Sequence, residues 1–301
     1  MSKAITFAEY GTPEVLRLSE VAPPEPGPGQ VRIRVRAASV NPLDMKIRSG
    51  LMAGVAPADF PVTPGLDAAG VVDAVGEGAD AAVGDEVLGP TVGGGYSEYA
   101  LLDRPVAKPG VLSWKVAASL VTVGRTAFRV LGQLGVQSGQ TLLVHGAAGS
   151  VGFLAVQLAV ARGVTVIGTV GEHDIERVSA LGATAVRYGD GWLERVKTAA
   201  PHGADFVFDA AGAGVLADSV ALTGDSARVI TIADMSAARH GVRFSAGSAD
   251  ESEEALPELV QLAAKGKLTV PIWRTYPLAE AAQAHTDLEA RRNHGKAVLL
   301  P

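Results

Sequence analysis

The stretch His145-Gly146-Ala147-Ala148-Gly149-Ser150-Val151-Gly152 follows the apolar run Thr141-Leu142-Leu143-Val144. It precedes Phe153-Leu154-Ala155-Val156-Gln157-Leu158-Ala159-Val160-Ala161, a helix-like segment. A buried strand, a turn of small residues and a helix N-terminus in direct succession make an anion site. The first N–H groups of the helix lack acceptors within it, and its dipole turns a positive end toward them. Gly149 lets the backbone approach a pyrophosphate, and Gly152 lets helix pack on strand. Ala147 stands where the usual fingerprint has its first glycine. A second β-rich run, Val164-Thr165-Val166-Ile167-Gly168-Thr169-Val170, arrives at the distance a βαβ unit needs. The reading is dinucleotide binding, with contacts from Gly146, Ala147, Ala148, Gly149, Ser150, Val151 and Gly152; the alternative is a glycine-rich turn of another α/β protein.

From about Gly139 to Gly247 strand-like runs alternate with helical segments. Phe206–Asp209, Ala227–Ile232 and Val242–Ser245 extend the two strands already named into a parallel sheet. That alternation predicts a doubly wound Rossmann sheet covered on both faces. The preceding part is β-like. Val31-Arg32-Ile33-Arg34-Val35-Arg36-Ala37 alternates apolar and basic residues, so one face is buried. Further strands are expected at Ala69–Gly76 and Asp85–Gly89, with a loop at Pro23–Gly29. Ser113 is positioned to cap a helix from Trp114 to Leu120, with a second from Thr126 to Leu134. Glu251–Ala264 reads as an amphipathic helix, Val270–Tyr276 as a strand, Leu278–Glu289 as a helix and Ala297–Leu300 as a last strand. A β-domain (1–120 and 265–301) interrupted by a dinucleotide-binding domain (121–264) explains why β-type sequence returns at the end.

Composition narrows the chemistry. The 301 residues contain no cysteine, which removes disulfides, thiolate nucleophiles and cysteine-based metal sites. None of the 6 histidines forms a close pair such as His-x-x-x-His. A net charge of −6 favours neither nucleic acid nor an anionic membrane. No apolar run has membrane-spanning length, and the N-terminus lacks signal-peptide features, so a cytoplasmic protein is expected.

Residues spread over most of the chain carry a family resemblance: Ser39–Gly50 with Asn41-Pro42-Leu43-Asp44, Pro61–Val72 with Pro64-Gly65-Leu66-Asp67, Gly95–Ala100, Gly124–Ala127, the Gly149 loop and Gly295-Lys296-Ala297-Val298. The chain resembles the zinc-free branch of the medium-chain dehydrogenase/reductase superfamily, the quinone and enone reductases. The resemblance implies a Rossmann sheet inserted in a GroES-like catalytic domain of β-barrel type. It also implies a homodimer pairing through an edge of that sheet, around Arg228–Ile232 and Val242–Ser245. In zinc-dependent relatives two cysteines and a histidine bind the metal; by motif register those places fall on Asn41, Leu66 and Thr122, so no metal is expected. Without a Lewis acid the expected substrate is a small, already electrophilic acceptor, a quinone or an α,β-unsaturated carbonyl. Two other activities stay open: enoyl reduction on carrier-bound acyl chains and non-catalytic NADPH binding.

The resemblance also assigns residues. Asn41 and Asp44 face the nicotinamide in relatives, although Asn-Pro-x-Asp is equally a turn or helix-cap sequence. Lys46 occupies a place where many quinone reductases have tyrosine and alkenal reductases have lysine. It either steadies an acceptor oxygen, binds a cofactor phosphate or is a solvated surface cation. Met52 sits at a place often aromatic in quinone reductases. Thr122 and Thr126 lie on the helix that meets the nicotinamide, and the small residues about Ala211 leave room for cofactor. Phe244 and Ser245 either flank the nicotinamide or belong to the core, and Asn293 and Lys296 lie in a terminal loop that approaches it. His285, Tyr96 and Tyr99 are read as structural.

Cofactor choice rests on the end of the second strand, Thr169-Val170. An NAD site puts a carboxylate there for the ribose hydroxyls, and Val170 removes both that bond and the repulsion of a 2′-phosphate. Tyr188 matches a tyrosine that contacts the 2′-phosphate in relatives. Glu172 and Asp174 oppose a phosphate unless they point away, while His173, Arg177 and Arg187 are the cations on hand. NADPH is expected over NADH.

Overall fold

The computed structural model describes residues 1–55, 57–247, 254–291 and 293–301. The chain divides into two compact units, Met1–Thr122 with Leu256–Pro301, and Val123–Ala255. The first unit starts with a hairpin of β1 (Ser2–Thr6) and β2 (Arg17–Val21). Next come β3 (Val31–Val40), helix α1 (Pro42–Arg48), β4 (Asp67–Val75), β5 (Glu86–Val92), β6 (Tyr99–Leu102) and β7 (Val106–Ala107).

Strand β3 organises this unit. The expected alternation is present: Val31, Ile33 and Val35 are buried while Arg34 and Arg36 face solvent. Arg32 leans across to β4, its Nε 3.0 Å from Asp73 Oδ1. Along its first half β3 pairs with β6, along its second half with the C-terminal strand, and with β4 throughout. Since β4 pairs with β5 and β5 with β6, strands β3 to β6 form a closed ring, which leaves them no open edge. Its core joins Ile5, Phe7, Ile33, Leu102, Tyr276 and Leu299.

Helix α2 (Trp114–Leu134) is continuous, not the two expected helices. The β-branched and glycine run Val121-Thr122-Val123-Gly124 has weak helix propensity, and burial of Leu120, Val121, Val123 and Ala127 outweighs it. The division between units falls within this helix.

The second unit continues with β8 (Thr141–His145), α3 (Ser150–Ala161), β9 (Thr165–Val170), α4 (Ile175–Ser179), β10 (Thr184–Arg187), α5 (Trp192–Ala199), β11 (Phe206–Asp209), α6 (Leu216–Thr223), β12 (Val229–Thr231) and β13 (Arg243–Phe244). The six strands among its described residues are all parallel, in the order β10-β9-β8-β11-β12-β13. This is the doubly wound order; the direction of winding reverses between β8 and β11, where ligands bind beyond the strand ends. Strand β10 and helices α4 to α6 were not distinguished in the sequence.

Helix α7 (Ala255–Ala264) groups with the first unit, so the expected domain boundary at 264 moves to 255. Residues 251–253 of the expected helix lie outside the described residues. The first unit closes with β14 (Ile272–Pro277), α8 (Ala281–Glu289) and β15 (Lys296–Leu300). No described helix is long and apolar enough to cross a membrane.

The backbone approach at Gly152 is tight: a Cβ there would stand 2.2 Å from Gly146 O. Gly152→Ala should therefore destabilise the protein by about 1–3 kcal/mol, the usual range for overpacking. In contrast, Gly132 within α2 has nothing within 4 Å of a built Cβ. There alanine should add about 0.5–1 kcal/mol. Urea melts of the two variants check both signs.

Candidate functional site

The phosphate loop of the second unit is a tight turn between β8 and α3. Gly146 has a φ of 72°, open to glycine, and its carbonyl accepts from Gly149 N at 2.9 Å. Gly149 is the N-cap of α3, so the N–H groups of Ser150, Val151 and Gly152 form the first turn. Ala147 packs inward; a Cβ on Gly168 of β9 would come within 2.6 Å of its methyl. The Ala211 methyl lies 3.3 Å from where a Cβ on Gly146 would be.

Several predicted contacts turn out to brace this loop. Thr169 is buried, and its hydroxyl meets His145 Nδ1 at 3.1 Å and Gly146 N at 3.4 Å. Arg177 donates to Ala148 O at 2.7 Å, pairs with Asp174 at 3.2 Å and lies over the Phe153 ring. Its charge is thereby held against the loop. Asp209 also proves structural: Oδ1 accepts from Ala211 N and Gly212 N, and Oδ2 from Thr231 Oγ1. Ser245 Oγ accepts from Arg129 Nε at 3.0 Å, beside a half-buried Phe244, and Thr126 is half-buried on α2.

At the end of β9 the Val170 side chain is buried, and β10 sets Arg187 beside it in register. Tyr188 is 63% exposed, and its ring is 3.4 Å from where a Cβ on Gly171 would stand. Glu172 does not point away from the basic groups; it pairs with Arg187 at 3.6 Å.

The first unit holds a buried polar network that sequence reasoning only partly anticipated. At its centre is Asp67, on the first position of β4. Its Oδ2 accepts from Ser39 Oγ at 2.7 Å and Asn41 Nδ2 at 2.9 Å, and its Oδ1 from Thr122 Oγ1 at 2.5 Å. Asn41 is 1% exposed. Its Oδ1 receives Lys296 Nζ at 2.6 Å, and the same ammonium reaches Val40 O at 2.9 Å. Lys296 was expected in a terminal loop, approaching the cofactor or solvent. It instead opens β15 with its ammonium buried, so its charge acts through Asn41. Asn293 donates to Gly295 O in the turn before it.

Asp44 lies at the third position of α1, where Oδ2 accepts Asn41 N at 2.8 Å and Tyr96 OH at 3.1 Å; Oδ1 is buried without a partner. Tyr96 is thus more than a packing residue, since its hydroxyl also meets His285 Nε2 at 3.2 Å. Because that hydroxyl donates to Asp44, His285 carries its proton on Nε2. Beyond it a buried Arg48 is paired with Glu289. Lys46, by contrast, is half-buried, and no partner holds its ammonium among the described residues. Met52 is half-buried as well.

Beside Asp44 lies a pocket of about 340 Å³, formed entirely within the first unit. Ile47, Val62 and Leu66 give it an apolar lining, and Asp59 adds a second carboxyl. Asp67 could have been suspected as a lone carboxylate entering a run of small apolar residues. Of the partners of Asp44, Asn41 N lies three residues away within the Asn-Pro-x-Asp cap, whereas Tyr96, 52 residues on, had no signal.

Burial sets the protonation of these groups. It pushes the Asp44 carboxyl up to about 7, with help from Asp67 and against the Asn41 N–H, Lys296 and Tyr96. It lowers Lys296 against the pull of Asp67 and Asp44. Burial also brings His285 down to about 3, aided by Arg48, and His145 down to about 4 against Asp209.

Two family models match: an alcohol dehydrogenase GroES-like domain over residues 27–123 and a zinc-binding dehydrogenase domain over 181–299. A quinone oxidoreductase of Lama guanicoe is 35% identical across the whole chain and 98% of its own. One of Pseudomonas aeruginosa is 34% identical across the whole of both. The solved quinone oxidoreductase of Coxiella burnetii has a TM-score of 0.88 at 32% identity, covering 100% of this chain and 99% of its own. That of Escherichia coli, complexed with NADPH, has a TM-score of 0.88 at 27% identity, covering 99% and 100%.

The depressed histidines and the raised carboxyl act oppositely on stability. For His145 and His285 the unfolded chain takes protons near pH ~6.5, which the fold refuses. Their contribution is whole above that pH and is lost as pH falls toward about 4 and about 3. Asp44 contributes fully below pH ~4, and its share is lost as pH rises through about 7. His145→Gln should flatten the acid-side decline, and Asp44→Asn should flatten the slope between pH ~4 and about 7. Chemical denaturation at a series of pH values measures both slopes.

Proposed function

This chain belongs to the quinone oxidoreductase branch of the medium-chain dehydrogenase/reductase superfamily, and from that membership we propose that it is an NADPH-dependent, zinc-independent reductase of quinones or α,β-unsaturated carbonyls. The observation that carries the metal-free part is the donor set around Asn41. Its Oδ1 already takes the Lys296 ammonium, Leu66 has no donor atom, and the Thr122 hydroxyl donates to Asp67. A zinc ion does not fit beside a cation on ligands so committed, and no group of three His, Cys, Asp or Glu suited to a metal occurs among the described residues. The chemistry then requires an acceptor that needs no Lewis acid.

NADPH suits the loop as described: the turn from Gly146 to Gly152 would hold its pyrophosphate, and Tyr188 with Arg187 its 2′-phosphate. When bound, it supplies a hydride. The chain's own part is to bind, orient and handle charge. Thr169 and Arg177 keep the loop in shape, and the Asp67 network fixes Asn41 and Thr122. The ammonium of Lys46, without a partner among the described residues, is available to an oxygen where negative charge develops. The homodimer belongs to the same proposal; it rests on β13, which pairs only with β12 among the described residues.

NADPH oxidation with a panel of quinones and enones tests the reading, and full activity after exhaustive chelation is expected. Val170→Asp should shift preference toward NADH by about 1–3 kcal/mol, the scale of a charge-assisted bond. A wild type that already prefers NADH refutes the cofactor argument.

Lys46→Met keeps the stem and removes the charge. If the ammonium acts on the acceptor, turnover with enones should fall about ten- to a hundredfold, and less with the more electrophilic quinones. Unchanged turnover with weaker NADPH affinity would instead put Lys46 on a cofactor phosphate.

A further inference from the structure

Asp44 has two oxygens in different situations. Oδ2 accepts from Asn41 N and Tyr96 OH, and is fully occupied as an acceptor. Oδ1 is buried with no partner. Oδ1 is the oxygen free to carry the proton of the neutral acid, since the Asn41 N–H is a fixed donor to Oδ2. An O–H group without an acceptor is left at the residue that lines the first unit's pocket. The loop Pro61–Leu66 and the turn of Gly93 and Gly94 form the rest of that wall. The fit is close: a Cβ on Gly94 would stand 2.0 Å from Thr63 O, and one on Gly65 2.4 Å from the Tyr96 ring.

We propose that this pocket receives the carbonyl end of an uncharged acceptor, and that Asp44 is the acid that gives the acceptor's oxygen its proton from Oδ1. The proposal rests on the reductase reading above. The acceptor gains a hydride at carbon from the reduced nicotinamide, which is oxidised, and a proton at oxygen from Asp44. With hydride added at a ring carbon, a quinone gives the keto tautomer of the hydroquinone, which aromatises as that carbon's hydrogen passes as a proton to the second oxygen; an enone gives an enol that tautomerises to the saturated ketone. Asp44 is left as a carboxylate and regains a proton from water. The exposed Asp59, in the lining of the same pocket, turns away acceptors with a negative group.

The groups facing Asp44 favour a proton held in reserve. Tyr96 and the Asn41 N–H steady Oδ2, Lys296 adds positive charge, and Asp67 and burial resist ionisation, bringing the group to about 7. His285 and Arg48 stand behind Tyr96; a histidine brought down to about 3 is no competing proton source. Asp44→Asn preserves an acceptor for both donors and replaces the acidic O–H with an amide.

The test is turnover of 1,2-naphthoquinone and of its 4-sulfonate at saturating NADPH over a range of pH. Wild-type turnover should decline as pH rises through about 7. Asp44→Asn should be flat across that range and about a hundredfold slower, in line with a lost general acid, while NADPH binding is retained. A variant with wild-type rate and profile would overturn the acid, as would a wild type with no decline. Should Asp44→Asn fail to fold, the wild-type profile and a second variant still decide. Asp59→Asn, at the exposed wall, should narrow the preference for the neutral quinone over the sulfonate several-fold; an unchanged ratio would overturn the pocket as the acceptor's place. A wild type that binds NADPH and reduces no quinone or enone would instead sink the reductase reading itself.

Discussion

A carboxylate taken wholly out of water must be answered by donors, and in this protein the answer shapes the first unit. Asp67 lies at the head of β4 with no exposed surface. Ser39 and Asn41 reach it from β3 and the start of α1, and Thr122 reaches it from α2. Removing any one partner would expose part of a desolvation cost of several kcal/mol. The junction of β3 and α1, the head of β4 and helix α2 are thus held to one point by a charge that cannot be left alone. Lys296 extends the arrangement to β15 by gripping the other end of the Asn41 amide, which fixes its orientation: nitrogen toward Asp67, oxygen toward the ammonium.

The second unit is governed by a different constraint, the closeness of backbone to backbone. Gly152 sits so near Gly146 O that no side chain is tolerated, and Gly168 makes room for the Ala147 methyl. Here the polar side chains serve the turn. Thr169 ties it to β9 through His145 and Gly146, and Arg177 ties it to α4. The outcome is a helix start whose N–H groups stay available because the surroundings, not a ligand, hold the loop in place. Preorganisation of this kind lowers the entropy that binding would otherwise consume.

The parts legible in the sequence were those encoded over short distances. The loop around Gly149, the alternation in β3 and the apolar strands of the parallel sheet each announce themselves within about ten residues. Lengths and pairings beyond that were not recoverable. Helix α2 was read as two segments; Val121-Thr122-Val123-Gly124 disfavours helix locally, and burial decides its continuity. Strand β10 lacks a long apolar run, since it lies at the edge of its sheet, with Arg187 exposed at its end. In the site, Asn41 and Asp44 could be marked from their motif, but not the direction of their bonds. Tyr96 looked like packing because its partners, Asp44 and His285, are 52 and 189 residues away. Lys296 looked like a loop cation because only tertiary structure says that its ammonium ends inside.

These two constraints bear on why such a site can dispense with a metal. A metal ion organises its ligands and supplies charge in a single step; an organic network must divide those tasks. The arrangement around Asn41 divides them visibly. Asp67 does the organising, through three hydrogen bonds to side chains from separate elements. Lys296 supplies a positive charge, but spends it inward on Asn41 and Val40 O, leaving no exposed Lewis acid. What remains for chemistry is then a matter of protons and orientation rather than of polarising power. That limitation points back to the acceptor, which must bring its own electrophilicity, and gives a reason for the presence of a carboxyl with one uncommitted oxygen at the pocket.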